Sequence, residues 1–152
     1  MRRIATTAVV LAALVTLASA QSAKESYRPG LGEFMTMTQL RHAKLWFAGK
    51  QSNWDLAAYE IDEIAEGLEE AAKLYPTLDR FPVAEMIKSI VDPRIERLMK
   101  AVKAKNSSKF SAAFDELTNG CNSCHAAANK PFIRIQRPVG PPVTNQDFAP
   151  VR

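Results

Sequence analysis

The run Ser108-Lys109-Phe110-Ser111-Ala112-Ala113-Phe114-Asp115-Glu116-Leu117-Thr118-Asn119-Gly120-Cys121-Asn122-Ser123-Cys124-His125 decides how the rest of the chain is read. Phe110, Ala113, Phe114, Leu117, Cys121 and Cys124 recur at three- and four-residue spacing, the signature of one apolar helix face. Its last five residues are a C-x-x-C-H, the attachment pattern of a c-type haem. Two thiols at that spacing can each add to a vinyl group of the porphyrin, and the histidine that follows can bind the iron. Because both cysteines continue the apolar stripe, the porphyrin is expected inside the fold, as part of its core.

Other uses of two cysteines are weaker here. The chain has only Cys121 and Cys124, and only one further histidine, His42. A tetrahedral zinc site would need about two more ligands, and a thioredoxin-like dithiol would need strands around it. No alternating strand pattern, repeat or phosphate-binding glycine loop is present.

Upstream of this helix, three more helical patterns follow one another with short breakers between them. The first covers roughly 31–48, with Leu31, Phe34, Met35, Thr38, His42, Leu45 and Trp46 on one side and Gly49 as its expected end. The second covers roughly 53–75. Trp54, Ala57, Ala58, Ile61, Ile64, Leu68, Ala71 and Tyr75 form its stripe, Ser52 or Asn53 its cap, and Pro76 its stop. The third starts near Pro82 and carries Val83, Met86, Ile87, Ile90, Val91, Ile95, Leu98 and Val102. Asp92-Pro93 interrupts it, and since the stripe stays in phase a kink is expected rather than two helices. The fourth is expected over 108–129. After Lys130 the pattern fails, and five of the nine prolines (Pro131, Pro138, Pro141, Pro142 and Pro150) fall in this last part. An irregular tail over 130–152 that wraps over the bundle is expected.

Four helices with short links predict an all-α, up-down-up-down four-helix bundle, with the haem-binding domain over 31–129. In that topology the end of the fourth helix lies beside the starts of the first and third and the end of the second. Residues near Met35, Tyr75, Phe81 and Met86 are then the ones that can reach the cysteines.

The first thirty residues read separately. Arg2 and Arg3, an apolar run over 4–17 and Ala18-Ser19-Ala20 have the layout of a secretory signal peptide over 1–20, followed by a flexible leader over 21–30. The run is short for a membrane span, so no stable span is expected after cleavage. Bacterial c-type haem is attached outside the cytoplasmic membrane, so motif and export agree on the periplasm. Of 20 basic side chains, Arg2 and Arg3 lie in the signal-peptide stretch; the remaining 18 against 16 acidic ones leave +2. With no basic stripe, nucleic acid is not an expected partner.

A signal peptide, four helices and Cys121-x-x-Cys124-His125 late in the fourth helix together resemble the cytochrome c′ class of bacterial four-helix haem proteins. The run Arg41-His42-Ala43-Lys44-Leu45-Trp46-Phe47-Ala48-Gly49 is also similar to a group of small exported cytochromes. The long proline tail departs from the class. The resemblance implies one covalently attached haem c, thioethers at Cys121 and Cys124, and His125 as the proximal iron ligand. It also implies a homodimer through the first two helices and redox partner proteins in the periplasm.

The class includes low-spin members with a methionine from the first helix on the iron, and five-coordinate members that bind nitric oxide or carbon monoxide. Met35 is the sixth-ligand candidate here. Met37, two residues on, is turned ~200° away and cannot share its direction. His42 reads first as a core histidine bonded to a backbone carbonyl, and is the alternative ligand. Arg41, Lys44, Arg80 and Lys130 read as surface cations or propionate partners. The expected role is a single-electron carrier and not an enzyme; the alternative is a five-coordinate protein binding nitric oxide or carbon monoxide. A weaker third idea is an accessory haem subunit docked through the tail.

Overall fold

The computed structural model describes residues 27–151; the signal-peptide reading over 1–20 lies outside the described residues. Four helical rods make up the bundle: a first helix Leu31–Lys50, a second Trp54–Leu74, a third spanning 83–103 and a fourth Ser107–Ala127. The first packs on the second, the second on the third, the third on the fourth, and the fourth closes the ring against the first. Among the described residues there is no strand, only an isolated bridge between Leu78 and Phe81.

Side-chain hydrogen bonds begin three of the four rods. The backbone N–H of Gly30 donates to Glu33 Oε1 at 3.1 Å. Asn53 Oδ1 accepts from Leu56 N at 3.2 Å, and Asn106 Oδ1 from Lys109 N at 2.8 Å, satisfying N–H groups that have no partner within the helix.

Three helix ends share one device. Ser52, Lys105 and Asn129 have φ of 59°, 50° and 58°. The residue after each reaches back five positions: Asn53 N to Ala48 O at 2.9 Å, Asn106 N to Ala101 O at 3.1 Å and Lys130 N to His125 O at 2.8 Å. This is the Schellman closure, made here without glycine. Gly49, the expected terminator of the first helix, is instead buried within it, where a Cβ would stand 2.1 Å from Phe110 Cζ. Its role is close approach of the first and fourth helices.

The third rod is continuous but not uniform. A four-residue α segment (Val83–Met86) passes into a π turn (Ile87–Val91) and then into regular helix (Asp92–Lys103). Pro93 has no N–H for the carbonyl four residues earlier, and its ring crowds that carbonyl. Widening the preceding turn absorbs the misfit.

The core divides into two ends. At one end, Trp46, Trp54, Phe110 and Phe114 pack ring on ring, with centroids 4.8 to 6.2 Å apart. At the other, where the fourth helix finishes, the helices stand apart around a cavity. The tail returns from that end along the outside. Arg137 pairs with Asp115 and lies 4.6 Å over the Trp46 ring. Phe148 is buried against Phe47, and Ala149 O accepts from Asn53 Nδ2 at 2.9 Å.

Candidate functional site

The cavity has a volume of about 380 Å³, within the range of cofactor and ligand sites. Five parts of the chain wall it. Leu31, Met35, Thr38 and His42 come from the first helix, Leu68 from the second, and Leu78, Phe81, Val83, Ile87 and Val91 from the second link and third rod. Cys121, Cys124, His125 and Ala128 come from the fourth helix, and Lys130, Ile133 and Ile135 from the tail. The antiparallel course of the helices produces this convergence, since the start of the first rod lies beside the end of the fourth.

The lining is overwhelmingly apolar, and burial acts on its titratable groups. It raises the Cys121 thiol to about 11, with the neighbouring Cys124 adding to the effect, and it raises Cys124 as well. Both sulfurs are therefore protonated at neutral pH. A redox dithiol works through a thiol lowered toward neutrality, so this pair is poorly suited to disulfide exchange. Among the described residues no cluster of three or more His, Cys, Asp or Glu could hold a metal ion by itself.

His125 is oriented by the tail. Its Nδ1 lies 3.1 Å from the carbonyl of Ile133. A carbonyl only accepts, so Nδ1 carries the proton and Nε2 keeps its lone pair for a metal. Met35 lines the same cavity from the first helix, whereas Met37 is 51% exposed and points elsewhere. Tyr75 and Met86 do not line it; the Tyr75 hydroxyl donates to Pro29 O at 2.8 Å.

His42 also borders the cavity, at its junction with the aromatic core: its ring centroid is 4.2 Å from that of Phe114. Its Nε2 is 2.9 Å from Thr118 Oγ1, and that hydroxyl donates to Phe114 O at 2.9 Å. The hydroxyl's one proton is thus committed, so Nε2–H donates to its oxygen. The partner is a side-chain hydroxyl and not the backbone carbonyl expected from the sequence. Burial lowers His42 to about 4, keeping the ring neutral.

Of the cations singled out in the sequence, Lys130 lines the cavity. Arg41 and Lys44 are engaged elsewhere, at 3.2 and 2.7 Å from the fully buried Glu60 carboxylate. Arg80 is exposed in the link between the second and third rods.

Two features of the site were hidden in the sequence. The tail supplies part of the wall, and Asn122, inside the C-x-x-C-H, holds it there with two hydrogen bonds. Nδ2 donates to Ile135 O at 2.9 Å and Oδ1 accepts from Ile135 N at 2.8 Å. A polar side chain on a helix carries no signal of such a contact until the tail's course is known.

The donor set suits a porphyrin joined by two thioethers. Two neutral thiols one helical turn apart, an imidazole with a free Nε2 and a facing thioether all open on one apolar space. No helix among the described residues is long and apolar enough to cross a membrane. Comparison with protein-family models, curated proteins and solved structures gives no match to this chain.

Proposed function

We propose that this chain is a periplasmic c-type cytochrome similar to the cytochrome c′ class. In this reading Cys121 and Cys124 would hold one haem c through thioethers, His125 and Met35 would be its donors to the iron, and the protein would carry single electrons without transforming a substrate. The observation that carries the reading is the convergence of Cys121, Cys124, His125 and Met35 on one apolar cavity.

When bound, the haem supplies a one-electron ferric–ferrous couple. The chain's own residues do the rest. The Cys121 and Cys124 thiols would hold the group as thioethers, each S–H adding across one vinyl so that no oxidant is needed. His125 offers Nε2 because Ile133 occupies Nδ1. Met35 offers a soft thioether from the facing helix, a donor that would suit electron transfer better than gas binding. Leu31, Leu68, Phe81, Val83, Ile87 and Val91 exclude water from the site. Export to the periplasm rests on residues 1–20 as read from the sequence.

Two measurements on protein made with the haem-attachment machinery test this. Acid denaturation and organic extraction should leave the pigment on the polypeptide; pigment that washes out, or was never present, removes the reading. The ferrous absorption spectrum should show sharp split bands, with a weak sulfur-to-iron band in the near-red of the ferric form. A broad high-spin spectrum that changes with carbon monoxide would instead make it a five-coordinate, gas-binding protein.

A further inference from the structure

The clamp on the tail leads beyond the ligands themselves. Asn122 and His125 are three residues apart, so they lie about 4.5 Å apart along one face of the fourth helix. Ile133 and Ile135 are two residues apart in an irregular, non-helical segment, and the pairing of Asn122 with Ile135 and of His125 with Ile133 sets it antiparallel to that helix. In extended chain, backbone groups two residues apart point the same way. One face of the helix therefore grips one edge of the tail at two points. Asn122 takes both the N–H and the C=O of Ile135, at 2.8 and 2.9 Å, while Ile133 O receives His125 Nδ1 at 3.1 Å. A carboxamide suits the first grip because it offers a donor and an acceptor together, as the backbone of Ile135 does. Ile133 N donates to Lys130 O at 3.0 Å, and Lys130 N to His125 O at 2.8 Å, so the segment between the grips and the helix end is itself closed.

We infer that Asn122 is a positioning residue for His125: by clamping Ile135 it holds the Ile133 carbonyl on Nδ1 and so fixes the tautomer, orientation and donor strength of the imidazole. The inference rests on the haem reading above. A hydrogen bond from Nδ1–H to a carbonyl makes Nε2 a stronger donor, and partners of this kind matter nearly as much as the ligands. A stronger donor favours the ferric state, so releasing the clamp should raise the ferric–ferrous midpoint potential.

The test uses holoprotein with Asn122→Leu, which removes both bonds at similar size, and Asn122→Ala, which removes both with no added bulk and no added charge. Midpoint potential and backbone amide exchange are read on each. In Asn122→Leu the Ile135 amide should exchange about tenfold faster or more, the His125 Nδ1 proton should lose its protection, and the potential should rise. Asn122→Ala should shift exchange and potential in the same direction as the leucine variant, and it carries the test if the leucine variant does not fold. Faster exchange at Ile135 with an unchanged potential would overturn the inference, leaving Asn122 a fastener of the tail only. Unchanged exchange would overturn it as well. Wild-type protein without covalent haem would sink the functional reading and this inference together, a result distinct from either of those.

Discussion

His42 and Thr118 are joined across the first and fourth helices by a 2.9 Å hydrogen bond in a site almost closed to water. Burial holds the imidazole neutral, with its pKa lowered to about 4 from the ordinary 6.5. Between those values the unfolded chain binds a proton that the folded chain does not. Stability from this group is therefore complete above about pH 6.5, is lost as pH falls toward 4, and changes no further below that. The loss should approach about 3 kcal/mol. Denaturant titrations at pH 7, 5.5 and 4 should show it. In His42→Phe, whose ring keeps much of the packing on Phe114, the fall over this window should be smaller; an equal fall would assign it to other groups. Thr118→Val should cost about 1–3 kcal/mol at pH 7, because Nε2–H is left buried without an acceptor.

Gly49 presents two opposing effects. Replacing a helical glycine by alanine ordinarily stabilises by up to about 1 kcal/mol. Here the new Cβ would meet Phe110 at 2.1, 2.2 and 2.7 Å, and Phe110 is fixed by Trp46, Trp54 and Phe114. Overpacking in such a core costs about 1–3 kcal/mol, so the clash wins. Gly49→Ala should lower the thermal midpoint. Gly67→Ala, on the second helix where nothing lies within 4 Å, should raise it.

That contrast shows what the sequence could and could not tell. Stripes such as Ala57, Ile61, Ile64 and Leu68 made the four rods readable, because burying one face is what a helix in a bundle does. The link lengths allowed the antiparallel ring. The helix ends were less readable: a closure at Ser52, Lys105 or Asn129 depends on a left-handed residue that has no glycine to mark it. Pro93 signalled an irregularity, but widening into a π turn and bending at a kink are alternative reliefs of the same misfit. In the site, the spacing of Cys121, Cys124 and His125 was legible since it is local. The parts played by Asn122, Ile133 and Ile135 come from tail and helix meeting in space, and an irregular segment has no periodicity from which to read a face.

Glu60 is fully buried between the first two helices, yet its partners Arg41 and Lys44 keep 20% and 15% of their side chains exposed. Arg41 reaches Glu63 as well, at 2.8 Å. Removing the buried anion leaves the largely desolvated Lys44 without its carboxylate and Arg41 with Glu63 alone, and breaking a buried pair costs about 3–5 kcal/mol. Residual exposure of the cations reduces that, so Glu60→Gln should cost about 2–3 kcal/mol in denaturant unfolding. Glu63→Gln, at a carboxylate about one third exposed, should cost less than about 1 kcal/mol. Equal costs would show that burial of Glu60 does not set the strength of this network.

Met35 and Met37 provide an internal control for the proposed iron site. They are chemically identical and two residues apart, so the helix turns them ~200° from each other. Met35 lines the cavity with Cys121, Cys124 and His125, and Met37 is exposed to solvent. Met35→Ala should abolish the near-red sulfur band of the ferric protein and convert a low-spin spectrum to a high-spin one that responds to carbon monoxide. Met37→Ala should change neither and should alter stability by no more than about 0.5 kcal/mol, as surface substitutions usually do. A sulfur band that survives Met35→Ala would exclude this thioether as the sixth ligand. A band absent from both the wild type and the variant would place the protein among five-coordinate cytochromes, with Met35 as packing at the cavity wall.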